Sequence, residues 1–187
     1  MSRKHSDALV YFAGWCSIAS GIVSFIGIVF LIAMFVGFST NNLGLPRFGT
    51  LNDICVIIQY LLALPITLAL HQILKVHAPV LSRAAMLTGI AGILTVGVLQ
   101  WLLVSGVVTF EEQVGLVMVA LLVVGIWLVI TGYLGRSTGK LPSGVLISIL
   151  AAFYLGYPIW AIWLGRLLLS GKLPLAEQSI SMRKETA

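Results

Sequence analysis

Asp53, Tyr60, Thr67 and His71 lie in one apolar stretch, "LNDICVIIQYLLALPITLALHQILKV", residues 51–76. At about 100° per residue they fall within about 40° of one another on a helix. A carboxylate, a phenol, a hydroxyl and an imidazole on one stripe form a polar seam that can relay protons or hold a small ligand. Asp53 and His71 are separated by roughly 27 Å at a rise of about 1.5 Å per residue, so they are two ends of a path and not a catalytic pair. The plainer reading makes Asp53 the cap of this helix, supplying an oxygen to unpaired amides at its start. His71 then sits near inner headgroups, and Tyr60 and Thr67 make ordinary interhelical hydrogen bonds. Pro65 removes the backbone bond to the Leu61 carbonyl and favours a kink, with Thr67, a neighbouring helix or a water to meet the freed oxygen.

Other chemistry-bearing residues are sparse. Gln100 shares a helix face with Gly89 and is placed to hydrogen-bond across a tight helix contact. Phe153, Tyr157 and Trp160 share a face that Tyr154 and Trp163 broaden, giving either an apolar ligand pocket or an aromatic belt at a membrane interface. Glu111 and Glu112 offer a cation two carboxylates, too few oxygens for a calcium or magnesium cage; a solvated pair is the simpler expectation. Cys16 and Cys55 fall at different depths of antiparallel helices, beyond the roughly 4.4 to 6.8 Å between Cα atoms that a disulfide needs. Two free thiols are expected.

The elements carrying these groups are membrane spans. The chain has 187 residues, of which 59% are hydrophobic and only 9% charged, and its mean hydropathy is +1.08. A soluble domain carries roughly 25% charged residues, and about 20 apolar residues cross a hydrocarbon core. Five runs meet that length, predicting helices over 8–37, 51–75, 83–108, 113–135 and 142–168, followed by a polar tail over 170–187. The fold class expected is an all-α, polytopic transmembrane bundle in one domain. The first run is too long for a cleavable signal peptide and reads as a retained helix.

Gly14, Ser17, Gly21 and Ser24 alternate at spacings of three and four, and Ala85, Gly89 and Gly92 repeat the device. Small residues let helix backbones approach in lipid, so these positions are expected at helix contacts. Basic residues near span ends mark the cytoplasmic side. A cytoplasmic amino terminus places Arg3, Lys4, Lys75, Arg83, Arg136 and Lys140 inside, and Arg47, Glu111 and Glu112 outside. Five spans then send Arg166, Lys172, Arg183 and Lys184 outside, against the rule. Either these charges are translocated, or one run does not span and the tail lies on the inner surface. The net charge of +5 is accounted for by anionic headgroups and calls for no nucleic acid partner.

No mid-helix lysine is present for a retinal Schiff base, and no HExxH, GxSxG or Walker sequence occurs. The stretches "LNDICVIIQYLLALPITLALHQIL", "PVLSRAAMLTGIAGIL" and "VGIWLVITGYLGRSTGKLPSGVLISILAAFYLGYPIWAIWLG", with LxRxA and GxLP punctuation, resemble the DUF4386 family of small bacterial multi-helix membrane proteins. The resemblance implies a helical membrane fold and brings no established activity with it.

The expectation is a non-enzymatic protein of a bacterial inner membrane. It is read as an accessory subunit of a larger membrane complex, or as the binder of an apolar ligand among helices two, three and five. Homo-oligomerisation and contact with membrane lipid are compatible with either role, and no cofactor or metal is indicated. The alternative is a small proton-coupled transporter using the Asp53 to His71 seam; a membrane enzyme acting on lipid or quinone ranks below it.

Overall fold

A computed structural model describes residues 3–39, 46–139 and 156–170. Five helices occupy them: α1 (Arg3–Ser39), α2 (Pro46–Leu74), α3 (Pro79–Val104), α4 (Phe110–Ser137) and α5 (Gly156–Leu169). The first four are long and apolar enough to cross a membrane. The described part of α5 has 14 residues, about 21 Å of helix, and the remainder of the expected fifth span, 142–155, lies outside the described residues.

Local chemistry explains where the helices begin and end. Pro46 and Pro79 open α2 and α3, a position where proline's missing N–H costs nothing and its φ is already helical. Consequently α2 starts five residues earlier than the expected 51, and Asp53 lies about two turns inside it. Asp53 therefore does not cap α2. Helix α3 stops at Val104 and not at 108, because the chain turns through Gly106, whose φ of 72° favours glycine. Thr109 then caps α4: its hydroxyl accepts from the Glu112 amide while the Glu112 carboxylate accepts from the Thr109 amide. Glu112 thus has a structural partner in a capping box.

The main interfaces run α5·α1, α1·α2, α2·α3 and α3·α4, with a minor α2·α4 contact. Every adjacent pair is antiparallel. Ser20 of α1 donates to the Gln59 carbonyl of α2 at 3.2 Å, and nearer the other end Phe30 stacks on Phe48 with ring centroids 6.1 Å apart. Gly89 meets Trp127, Gly92 meets Val124, and Gln100 bonds Gln113, which fixes α3 against α4. On α5, Gly165 meets Gly14 and Ile18, and Leu169 meets Gly14. Ser17 Oγ donates to the Ala161 carbonyl at 2.5 Å.

These registers sort the charges. Asp7, Lys75, His77, Arg83, Arg136 and Arg166 share one end of the bundle, the basic end, while Arg47, Asp53, Glu111 and Glu112 belong to the other half. The expectation that Arg166 lies opposite Lys75 and Arg83 is corrected: α5 runs antiparallel to α1, so its carboxyl end returns to the side of the α1 amino end. Helix α4 ends at that side too. Lys172, Arg183 and Lys184 lie outside the described residues.

The small residues sit at the contacts. A methyl group added to Gly165 would stand 2.7 Å from the Gly14 carbonyl oxygen and 3.0 Å from the Ile18 nitrogen, and one added to Gly92 would stand 3.1 Å from the Val124 nitrogen. Backbone cannot swing aside as a side chain can. Ser17 is wholly buried, Ser24 is buried at 7% exposure, and Gly21 is buried between them. Gly165→Ala is predicted to destabilise the protein by about 1–3 kcal/mol through overpacking. Gly97→Ala and Gly115→Ala, where nothing lies within 4 Å of the added carbon, should hold or gain stability, since alanine is the better helix former by roughly 1 kcal/mol. Unfolding in detergent reads this difference, and equal shifts for all three would contradict the packing assignment.

Candidate functional site

The polar seam predicted on α2 does not converge on one place. Thr67, at 1% exposure, donates to the Ala63 carbonyl of its own helix at 3.0 Å, so it does not meet the Leu61 carbonyl freed by Pro65. His71, near the basic end, is tied to α3: its Nδ1 and the Ser82 hydroxyl are 2.9 Å apart, and Ser82 Oγ donates to the His71 carbonyl at a long 3.4 Å. Between Nδ1 and Oγ, which of the two donates is set by the imidazole tautomer. Lys75 Nζ donates to Gln72 Oε1 beside this latch. Asp53 has Asn52 as its side-chain partner. Between Tyr60 and His71 the α2 interface is dry, with Ala63, Ile66 and Leu70 at 3% exposure or less.

A different set of groups comes together. A cavity of about 40 Å³ is lined by Ser24, Gly27 and Ile28 from α1, by Asn52, Cys55, Val56, Gln59 and Tyr60 from α2, by Val96 and Gln100 from α3, and by Val117 and Leu121 from α4. It lies in the half of the bundle away from the basic end. Of the expected site residues, Tyr60, Gln100 and the packing residue Ser24 line it; Asp53, Thr67 and His71 do not. Tyr157 and Trp160 belong to α5, which shares its interface with α1, and their side chains lie outside the described ones, as do Phe153 and Tyr154.

Glycine makes room for this cavity at one wall. Gly27 approaches Cys55 and Asn52 so closely that a methyl group there would stand 3.2 Å from Cys55 Cβ and 3.4 Å from Asn52 Oδ1. Opposite, Gln100 is 9% exposed and Gln113 is 3% exposed, and Gln113 Nε2 donates to Gln100 Oε1 at 3.2 Å. One hydrogen bond uses one donor and one acceptor of two primary amides, each of which offers two N–H groups and two lone pairs. Among the described residues the Gln100 amide nitrogen has no protein acceptor. A buried donor left so costs about 1–3 kcal/mol, a cost that a bound oxygen in the cavity removes.

Size and chemistry restrict what can bind. One water needs roughly 10–15 Å³ measured this way, so the cavity holds about three waters or a polar head of similar size, and not a whole quinone or pigment. Its polar lining, Ser24, Asn52, Gln59, Tyr60 and Gln100, carries no formal charge, which suits an uncharged hydrogen-bonding group. Cys16 is buried, Cys55 is partly buried, and both thiols are free.

No family model, curated protein or solved structure matches this chain.

Sequence reasoning had picked out Tyr60 and Gln100 but missed Asn52, Gln59 and Gln113 as their companions. Gln59 points to a different sector of α2 from the seam, and only the position of α1 turns that sector inward. Gln113 begins the expected helix 113–135, whereas the Thr109 cap starts α4 at Phe110 and sets Gln113 inside it, against Gln100.

Proposed function

We propose that this chain is a non-enzymatic multi-pass protein of the bacterial inner membrane that binds the uncharged polar head of a membrane-soluble molecule in the cavity between α1, α2, α3 and α4. The observation that carries the reading is Gln100, a buried amide lining that cavity with its nitrogen unpaired among the described residues. The resemblance to the DUF4386 family is part of this reading and adds no activity to it. Binding is favoured over proton conduction because the intended path is interrupted: Thr67 is spent on its own helix, and apolar side chains fill the α2 interface between Tyr60 and His71.

Native mass spectrometry of gently extracted protein tests the proposal. The wild type should carry a stoichiometric small molecule. The double variant Gln100→Leu/Gln113→Leu should lose it while remaining folded, because removing both partners of a hydrogen bond leaves no orphan. A wild type free of any bound compound would overturn the proposal, as would equal retention by the folded double variant.

The basic end is proposed to be cytoplasmic. Lys75, Arg83, Arg136 and Arg166 gather there, and the bias of lysine and arginine near span ends sets orientation. Both the α1 amino end and the α5 carboxyl end then face the cytoplasm. A fluorescent-protein fusion after Ser170 should fluoresce and an alkaline phosphatase fusion there should be inactive; the reverse pattern would reject this orientation.

A further inference from the structure

Ser24 is a second polar group that the cavity leaves unpaired. It lies on α1 at 7% exposure and lines the cavity beside Gly27 and Ile28. The serines one and two turns before it are both spent on neighbouring helices: Ser20 Oγ donates to the Gln59 carbonyl and Ser17 Oγ to the Ala161 carbonyl. A helical hydroxyl can also turn back onto the carbonyl four residues earlier, as Thr67 does with Ala63. Ser24 makes neither bond, and among the described residues its hydroxyl has no hydrogen-bond partner. Thr131 of α4 is likewise buried and unpaired among them, but it does not line this cavity.

Gln100 reaches the same cavity from α3, two helices along in the packing order. Its Oε1 already accepts from Gln113, so what it offers the cavity is a donor, the amide nitrogen. Ser24 offers another. Two donors from two helices therefore serve one space of about 40 Å³, room for a head of about three water volumes. An oxygen with two free lone pairs satisfies both, and a carbonyl oxygen has them. A hydroxyl head brings a proton that needs an acceptor as well; a carbonyl needs only the two donors. An anion would accept from both, but no cationic side chain is among the lining residues, and an unpaired charge in an apolar interior costs far more than a hydrogen bond returns. Of the other polar lining residues, Asn52 is engaged with Asp53, and Gln59 and Tyr60 are only partly buried.

We propose that Ser24 and Gln100 are the two donors of a carbonyl site, and that the molecule held in the cavity carries a neutral ester, ketone or amide carbonyl whose oxygen accepts from both. This inference rests on the binding reading above and adds to it the second contact and the chemical class of the head. The ester carbonyls of membrane glycerolipids and those of separate ketone, ester or amide compounds share this chemistry. The exact mass of the copurified molecule separates the two sources, and a copurified molecule without a carbonyl overturns the proposal.

The test offers the purified protein, in a carbonyl-free detergent, three probes of equal chain length that differ in the head: methyl laurate isotopically labelled at its carbonyl carbon, the ionic dodecyl phosphate, and dodecane with no head. Native mass spectrometry should find the ester retained and the other two not. The carbonyl stretch of the bound ester should move to lower wavenumber in difference infrared spectra, because accepting hydrogen bonds weakens the C=O bond; this reading needs no variant. Ser24→Ala removes the hydroxyl without adding bulk. It should weaken retention of the ester about tenfold and return the stretch part of the way, while circular dichroism shows the helices intact. Gln100→Leu/Gln113→Leu should do the same. If Ser24 serves packing alone, its alanine variant leaves the stretch where it was, and that result overturns the proposal. Equal retention of dodecyl phosphate or dodecane would also overturn it, as would a cavity that takes up water only. The two readings fail separately: a wild type isolated with no bound molecule overturns the binding reading itself, whereas a bound molecule indifferent to Ser24→Ala overturns only the carbonyl site.

Discussion

In hydrocarbon a peptide or side-chain amide has no solvent partner, and apolar surfaces gain nothing by leaving lipid for one another. The structure answers both constraints with the same residues. Glycines at 14, 89, 92 and 165 bring backbones close enough for dense van der Waals contact, and serines between them use that closeness to reach a neighbour's carbonyl, as Ser17 reaches Ala161 and Ser20 reaches Gln59. A serine on a more distant helix could not span the gap. Contact distance, polar satisfaction and helix order are thus set together, and the order α5, α1, α2, α3, α4 follows from which helix carries a small face toward which neighbour.

At the cavity this economy is incomplete. Thr67 is satisfied within its own helix by Ala63, and Ser17 across one interface by Ala161. Gln100 receives one bond from Gln113 and retains amide hydrogens inside a space bounded by four helices. The same low-dielectric surroundings that strengthen a completed hydrogen bond make an unpaired donor expensive. That expense is the thermodynamic basis for capturing a polar head from the membrane, where such a head also lacks partners.

Much of the fold was legible in the primary structure, because length and apolarity suffice to recognise α1 to α4 and because Gly14, Ser17, Gly89 and Gly92 announce contact faces by spacing alone. The direction of α5 was not legible. It depends on Gly165 meeting Gly14, and neither residue names the other in isolation. The start of α2 was misjudged because "GLPRFGT" has turn composition, whereas a proline at the first helical position extends the helix outward and carries Asp53 into its interior. The seam on α2 is a stripe of residues whose members the packing sends to separate partners. A helix seen alone shows which residues share a face; it does not show that Gln59 faces α1, or that Gln113 arrives from α4 to meet Gln100.

The central claim is that the Gln100 amide is completed by something other than protein. An experimental structure of the protein embedded in its own lipid, at a resolution that distinguishes individual side chains, tests it directly. The account predicts non-protein density within hydrogen-bonding distance of the Gln100 amide nitrogen. A collapsed cavity, with the Gln100 nitrogen donating to a protein oxygen and no density beside it, would contradict it.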